Sequence, residues 1–381
     1  MCTAPKTLAP AGLPAKYRRA AELAGKDAHG VRWEYYINPF PACVARRVRA
    51  CLCDPRDWPM VVLTCNIVAT TGVAAALMYA LPVGATSTHL CGLTYVLLTA
   101  AIFDARFILC LHYASHRKLW SPAALGPVAA GALNELLPTV LGPLFGIPPG
   151  MYFLHHVVMH HVEDNRFPSD LSSTMPYQRD SLLDFAKYWM TYLTATAIYL
   201  PLYALAKGRR QLALYAVSLL SGWFCLIAAA WSVSPTAALW TLLVPFVKSS
   251  VTLMFGNWSQ HIFVEPSRPT DDYVSTYNCL AVLDNRFTFN DGYHIIHHVN
   301  ARKHWSEMPA AFVDSLAQHE AHGALCFEGL FFFEIGFLVM SGQWRKLARH
   351  VVQLTDEPLS EAQLVALLKR RVQKIGHEHV E

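Results

Sequence analysis

Four apolar runs decide what this chain can fold into. Residues 59–82, 90–111, 212–232 and 236–256 each offer about 20 mostly apolar residues, the length an α-helix needs to cross a hydrocarbon layer about 30 Å thick. Inside lipid no water satisfies the backbone, so such runs must be helical. The stretches VGATSTH and SVSPT between them are long enough only to turn, so the runs pair as two hairpins. Composition agrees: 54% of the 381 residues are hydrophobic and 15% are charged, the balance of a membrane protein rather than of a soluble enzyme. The net charge of +4 is dispersed, with no basic stripe among aromatics, which argues against nucleic acid as a partner.

Charge placement orients the hairpins. Neither turn contains Lys or Arg, whereas Arg46, Arg47, Arg49 and Arg56 precede the first run, Arg117 and Lys118 follow the second, and Lys207, Arg209 and Arg210 precede the third. The excess of basic residues on cytoplasmic flanks then places both termini in the cytoplasm. Residues 122–150 are apolar but carry Pro122, Pro127, Pro138, Pro143, Pro148 and Pro149; each Pro inside a helix costs about 3 kcal/mol, so this stretch is expected to be broken, re-entrant or interfacial. Residues 185–206 are expected to form an interfacial helix, because a further crossing would carry the KGRR segment to the wrong side. Residues 324–342 are too short and too acidic at Glu328 and Glu334 to span, and are expected on the membrane surface or in a cytoplasmic cap. Ser360 and Gln363 stand in capping-box spacing at the start of a basic amphipathic helix.

The expected fold is thus all-α and integral to the membrane, with about four transmembrane helices in two hairpins under a cytoplasmic helical cap. Its divisions are a cytoplasmic amino-terminal segment 1–58, a membrane domain 59–310 and cytoplasmic or interfacial carboxy-terminal helices 311–381. The first thirty residues mix charges of both signs, which fits neither a signal peptide nor a transit peptide. The ten cysteines are scattered and read as free thiols; Cys51 and Cys53 form a C-x-C without the second pair a metal site needs. Trp58, Trp189, Trp231 and Trp240 read as interfacial anchors. Asp104 and Arg106, costly in lipid, should face protein, either along a substrate tunnel or in an internal ion pair.

Histidine carries the polar chemistry. Nine of the 18 fall into four clusters. HYASH holds His112 and His116 at the cytoplasmic end of the second run. HHVVMHH holds His156, His160 and His161; NWSQH sets Asn257 four residues before His261; HIIHH holds His294, His297 and His298. Residues three or four apart share a helix face, so each cluster can aim two imidazoles at one point, and each adjacent pair adds another from the next row. One H-x-x-x-H at a helix end is usually surface or cap. Four clusters brought to one membrane face by the charge pattern point instead to metal, for which neutral imidazole is the commonest ligand. Nine ligands exceed what one zinc takes. Two metals sharing the set is the economical account, with ferrous iron suited to such a site and zinc still open on spacing alone.

H-x-x-x-H, H-x-x-x-H-H and H-x-x-H-H, in this order between membrane hairpins, resemble the three histidine boxes of the integral-membrane fatty acid desaturase and hydroxylase superfamily. The likeness covers roughly residues 58–310. The Asn257 and His261 pair is similar to an extra ligand pair of the acyl-CoA desaturases, and HHVNARKHWSEMP resembles the end of the last box in the acyl-lipid branch. Two departures stand out: Tyr113 replaces the usual acidic residue of the first box, and VVM replaces polar residues inside the second.

The resemblance implies a di-iron enzyme that uses O2 to desaturate a fatty acyl chain, with a hydroxylase of fatty acyl chains or alkanes on the same scaffold as the alternative. It implies His112, His116, His156, His160, His161, His261, His294, His297 and His298 as iron ligands, and Asn257 as a water-mediated contact. His155 points about 100° from His156 on an α-helix and is placed, with Asp164 and Asp170, behind the ligands. No haem-binding HPGG segment occurs, so electrons are expected from a separate cytochrome b5 and its reductase, or from ferredoxin in a plastid or bacterium. A membrane lipid or acyl-CoA is the expected substrate and the endoplasmic reticulum the expected location. A metal transporter would place its histidines near the bilayer midplane, and a silent lipid-binding relative would have no need of nine ligands.

Overall fold

A computed structural model of the chain describes residue 8, residues 12–28 and residues 37–376; the expectation about a leader in the first thirty residues lies partly outside them. The described residues form two compact units, each discontinuous in sequence. One, the long-helix unit, takes residues 32–159 and 195–252; the other, the mixed unit, takes 1–31, 160–194 and 253–381.

In the long-helix unit the first span begins where Asp54 caps Arg56 N–H and Pro55 occupies the first turn, a position where a missing N–H costs nothing. The span runs Pro55–Met78 and is followed by Thr86–His116. Gly84, at φ +72°, makes the turn between them, and its N–H donates to Thr236 Oγ1 at 2.9 Å, tying this turn to the start of Pro235–Gln260. Close packing of these helices depends on Gly92: a Cβ there would lie 2.1 Å from the Trp240 ring, whose Nε1 donates to His89 Nδ1 at 3.0 Å. Arg210–Val233 completes the second hairpin. Large apolar side chains such as Leu90, Leu97, Leu214 and Phe224 face outward, which is the arrangement expected when the solvent is hydrocarbon.

Among the described residues five helices are long and apolar enough to cross a membrane, one more than expected, the additional one being Pro127–Phe145. Its surroundings show why length alone misleads. Asn134 Oδ1 accepts from Leu119 N–H at 3.0 Å and Trp120 N–H at 2.9 Å, beside the end of Thr86–His116. The segment then passes from α through π to 3-10 geometry. Phe145 stacks on Phe107 at 3.9 Å, and the chain turns back at Gly146, where a Cβ would meet the Pro245 carbonyl. It returns to place His156 Nε2 3.3 Å from His112 Nε2. The segment therefore enters and leaves at one end of the Thr86–His116 helix.

The anchor expectation needs correction, and two others gain detail. Trp58 is buried, with the Arg49 guanidinium 5.0 Å above its ring, and Trp240 packs into Gly92, so neither is an interfacial anchor; Trp231 stays exposed. Asp104 pairs with Lys248 at 2.5 Å rather than with Arg106, whose Nη1 donates to the Ile102 carbonyl at 2.7 Å. The fold also contains strands: Tyr277–Leu280 pairs in parallel with Leu325–Glu328. The latter opens the 324–342 stretch, which continues as the helix Phe332–Met340. Residues 185–206 fall within the helix Leu182–Ala206, which is not among the five, and the described cysteines are all free.

In the mixed unit the helices Ala15–Asp27 and His294–Val299 pack against the strand Tyr277–Leu280, Met308–Asp314 packs on both of them, and Glu361–Arg371 packs on Trp344–Ala348. Ser360 and Gln363 form the expected capping box.

Candidate metal centre

Box two begins in π-helical geometry over Phe153–His160 and ends in a short α-turn, His161–Glu163. An i→i+5 pattern widens each turn, and such segments recur at functional sites. The helix stops at Asp164 and Asn165, both left-handed at φ +51° and +58°, a conformation that Asp and Asn tolerate better than other side chains. This turn swings the Asp164 carboxylate onto His298 Nδ1 at 2.9 Å. Asn165 holds the following loop by accepting from Thr174 N–H at 2.8 Å, and Thr174 Oγ1 donates to the His261 carbonyl at 2.8 Å.

In the mixed unit His160, His261 and His298 bring one ring nitrogen each within 4.8 Å of the others. Their other nitrogens are all engaged. His160 Nδ1 meets Asp170 Oδ2 at 2.6 Å, His261 Nδ1 donates to the Ser275 carbonyl at 3.0 Å, and His298 Nδ1 meets Asp164. A carbonyl or carboxylate can only accept, so each Nδ1 carries the proton and each Nε2 presents a lone pair. Nε2 of His261 and of His298 is buried with no hydrogen-bond partner among the described residues. Buried polar atoms are ordinarily paired, and orphaned nitrogens aimed at one point fit a metal held by imidazole.

The electrostatics agree. Burial, then the neighbouring His298 and His160, hold His261 well below the ordinary imidazole range, hence neutral. Burial pushes His160 down too, but the Asp170 carboxylate outweighs it and the net shift is upward. Burial raises Asp164, yet the hydrogen bond from His298 pulls it to about 2. Asp170 is fully committed, its Oδ1 accepting from Ser172 N–H at 2.8 Å and Ser172 Oγ at 2.7 Å.

Adjacent histidines divide their work. His161 turns away from His160 to face His297, Nε2 to Nε2 at 2.9 Å, just as His297 turns away from His298. His294 departs from the pattern. Its ring lies 4.8 Å from that of His298, but its Nδ1 accepts from Gln260 Nε2 at 3.2 Å, and the same amide donates to Asp291 at 2.8 Å. That engagement favours the opposite tautomer from its three neighbours. Asp27 steadies the approach to this box, its Oδ2 accepting from Tyr293 Oη at 2.8 Å and Ala281 N–H at 2.7 Å. Asn257 Nδ2 donates to the Ser172 carbonyl at 3.0 Å and to Tyr188 Oη at 2.8 Å, behind Asp170 and His160.

In the long-helix unit His112, His116 and His156 gather by themselves, ring centroids 4.4 Å apart for His112 and His156 and 5.2 Å for His116 and His156. Tyr113, which stands where an acid was expected, is buried and stacks on His112 at 4.9 Å. Tyr152 lies one turn before His156, its ring 5.2 Å away. His155 is buried within the same π-turn.

Sequence reasoning missed several supporting groups. Asp272 hydrogen-bonds Asp164 and is raised to about 6, by burial first and by that neighbour second. Ser275 contributes only its carbonyl, and Gln260 only its amide. No motif marks them, and only the fold of residues 261–275 brings them to the histidines.

The fatty acid desaturase family model matches residues 87–329, a stretch that includes all four histidine clusters. No curated protein and no solved structure matches the chain.

Proposed function

The chain belongs to the fatty acid desaturase family, a membrane oxidoreductase family, and from that premise we propose that it desaturates a fatty acyl chain of a membrane lipid or acyl-CoA at a di-iron centre. The observation that carries this proposal is the set of three Nε2 lone pairs, of His160, His261 and His298, each fixed by a partner behind its ring. The nine clustered histidines would hold the two irons, His160, His261 and His298 together and His294 only after its ring leaves the Gln260 amide N–H, with Asn257 in contact through water. The chemistry that bound iron would supply is activation of O2 for removal of hydrogen from an unactivated methylene. Loss of two hydrogens would give the double bond, with O2 reduced to two waters by those hydrogens, two electrons from the donor and two protons from solvent.

This chain's residues set the conditions for that chemistry. Asp164, Asp170 and the Ser275 carbonyl keep three rings in the ligating tautomer. Burial excludes water and keeps His261 neutral. Tyr113 and Tyr152 wall the His112 and His156 side with aromatic surface. The electrons come from a separate donor, cytochrome b5 with its reductase or a ferredoxin. The basic flanks of its hairpins favour cytoplasmic termini, and with a cytochrome b5 donor we propose the endoplasmic reticulum as its location.

Iron and zinc content of the purified protein, beside His297→Ala and His298→Ala and with the lipid profile of cells expressing each, tests the proposal. The expected result is about two irons per chain, lost in both variants together with a new unsaturated lipid. A product that gains oxygen would move the chain to the hydroxylase branch. Zinc or no metal with an unchanged lipid profile would end the proposal.

A further inference from the structure

His160, His261, His298 and His294 stand ring to ring in the mixed unit, and one of them is held differently. The His294 ring lies 5.5 Å from that of His261 and 4.8 Å from that of His298, yet His294 is outside the set of converging nitrogens that the other three form. Each of those three has an acceptor behind it: Asp170, the Ser275 carbonyl or Asp164. His294 has a donor. Gln260 Nε2 lies 3.2 Å from His294 Nδ1 and 2.8 Å from Asp291 Oδ2, and an amide nitrogen can only donate. Its two hydrogens therefore serve the ring and the carboxylate together. The His294 proton is left on Nε2, the nitrogen that its three neighbours keep free for a metal.

The fold fixes this arrangement from both sides. Thr276 Oγ1 donates to the Gln260 carbonyl at 2.6 Å. Asp291 follows Phe289 and Asn290, both left-handed at φ +56° and +57°, and Asn290 Nδ2 donates to the Trp305 carbonyl at 3.1 Å. A phenylalanine rarely takes that conformation, and such an outlier is grounds to ask what function its turn serves. What the turn delivers is Asp291, fully buried and accepting from the Gln260 amide.

An amide has two orientations. Turned over, Gln260 presents Oε1 to both neighbours, accepts from Nδ1–H of His294 and frees Nε2 as in the other three rings. Asp291 must then be the donor, and burial raises it to about 7, so a protonated carboxyl is available near neutral pH. We propose that Gln260 and Asp291 form a latch on His294: with the amide nitrogen toward the ring they keep it out of the metal set, and with the amide reversed they hold it in the ligating tautomer. Both are positioning residues, acting on a metal only through His294.

Full-length protein carrying 15N-histidine in liposomes tests this by NMR, with His294→Gln identifying the resonances of that ring. The metal-free wild type should show His294 protonated on Nε2. Zn2+, a diamagnetic ion that imidazole ligates, should convert it to the form protonated on Nδ1. Exchanging the two groups, in Gln260→Glu combined with Asp291→Asn, puts a permanent acceptor behind the ring. That double variant should show the Nδ1-protonated form before metal is added and bind Zn2+ about tenfold more tightly in chelator competition, the lower end of what such a partner contributes. A metal-free wild type already protonated on Nδ1 of His294 would overturn the proposal, as would a double variant that keeps the wild-type tautomer or the wild-type affinity. If the double variant fails to fold, the metal-free wild-type spectrum decides. The latch rests on the reading of these histidines as a metal centre, but the two fail separately: wild-type protein that binds no metal ends that reading, whereas metal bound with the His294 resonances unmoved ends only the latch.

Discussion

Each of His160, His261 and His298 is aimed by the nitrogen that does not face the centre. Asp170 supplies His160 with an acceptor 2.6 Å away, and the consequence is measurable. Removing such a partner typically costs 10–100-fold in metal affinity, so Asp170→Asn should weaken metal binding by about that factor in chelator competition. The pH dependence should move as well. His160 titrates above its ordinary value once Asp170 outweighs burial, and metal requires the deprotonated ring, so loading falls as pH drops through that raised value. In Asp170→Asn the acid limb should shift to lower pH even though affinity at neutral pH is worse; an unshifted limb would show that Asp170 does not set the His160 proton. Asp164 and Asp170 were legible as candidates because they follow box two within ten residues. Ser275 and Asp272 were not, because a carbonyl and a loop acid have no signature until the chain folds back on them. His294 shows the converse: its motif was plain, yet Gln260 and Asp291 determine how its ring is held.

Between elements, one buried cation does much of the tying. Arg179 is fully buried and donates to the carbonyls of Thr174, Met175, Ile262, Arg371 and Gln373, from 2.7 to 3.3 Å. Burial lowers it to about 9. Its planar fork joins the loop behind box two to the residue after His261 and to the end of the Glu361–Arg371 helix. Lys cannot reproduce that fork, so Arg179→Lys should destabilise the protein by roughly 1.5–3 kcal/mol for each charge-assisted hydrogen bond it fails to remake, read as a fall in thermal unfolding temperature in detergent. Glu265 joins the same helix through Arg370 and Arg371. Burial raises it, but the two guanidiniums prevail and its pKa falls from 4.5 to about 2. A depressed carboxyl contributes stability that is complete above its unfolded value and fades as pH falls toward its folded one. Unfolding temperature should therefore drop between about pH 4.5 and 2, and Glu265→Gln should start lower at pH 7 and show a shallower drop. The capping box at Ser360 was readable four residues at a time. Arg179 looked like any loop arginine, since its five acceptors come from three separate segments.

At the scale of the molecule, the question is how many times the chain crosses. Cysteines placed at Val83 and Val233, in a background without the native ones, should react with an impermeant maleimide from one side of the membrane. Cysteines at Lys118 and Lys207 should react only from the other. Labelling of Lys118→Cys and Lys207→Cys from opposite sides would mean that one of Pro127–Phe145 and Leu182–Ala206 crosses fully, and a cysteine at Asp180 on the Lys207 side would assign the crossing to Pro127–Phe145, against its return from Asn134 past Phe145 to His156. The four spanning runs, their hairpin pairing and the histidine clusters were determined by sequence alone, because hydrocarbon admits only long apolar helices and because ligand spacing on a helix is local. The same holds for the breaking effect of prolines in 122–150. Tertiary structure decided the rest: that the fifth apolar helix turns back, that two short strands pair beside the third box, that Asp104 chooses Lys248, and which acceptor stands behind each imidazole. Those outcomes depend on contacts between residues tens to hundreds of positions apart, where burial and hydrogen-bond geometry select a partner that local pattern does not name.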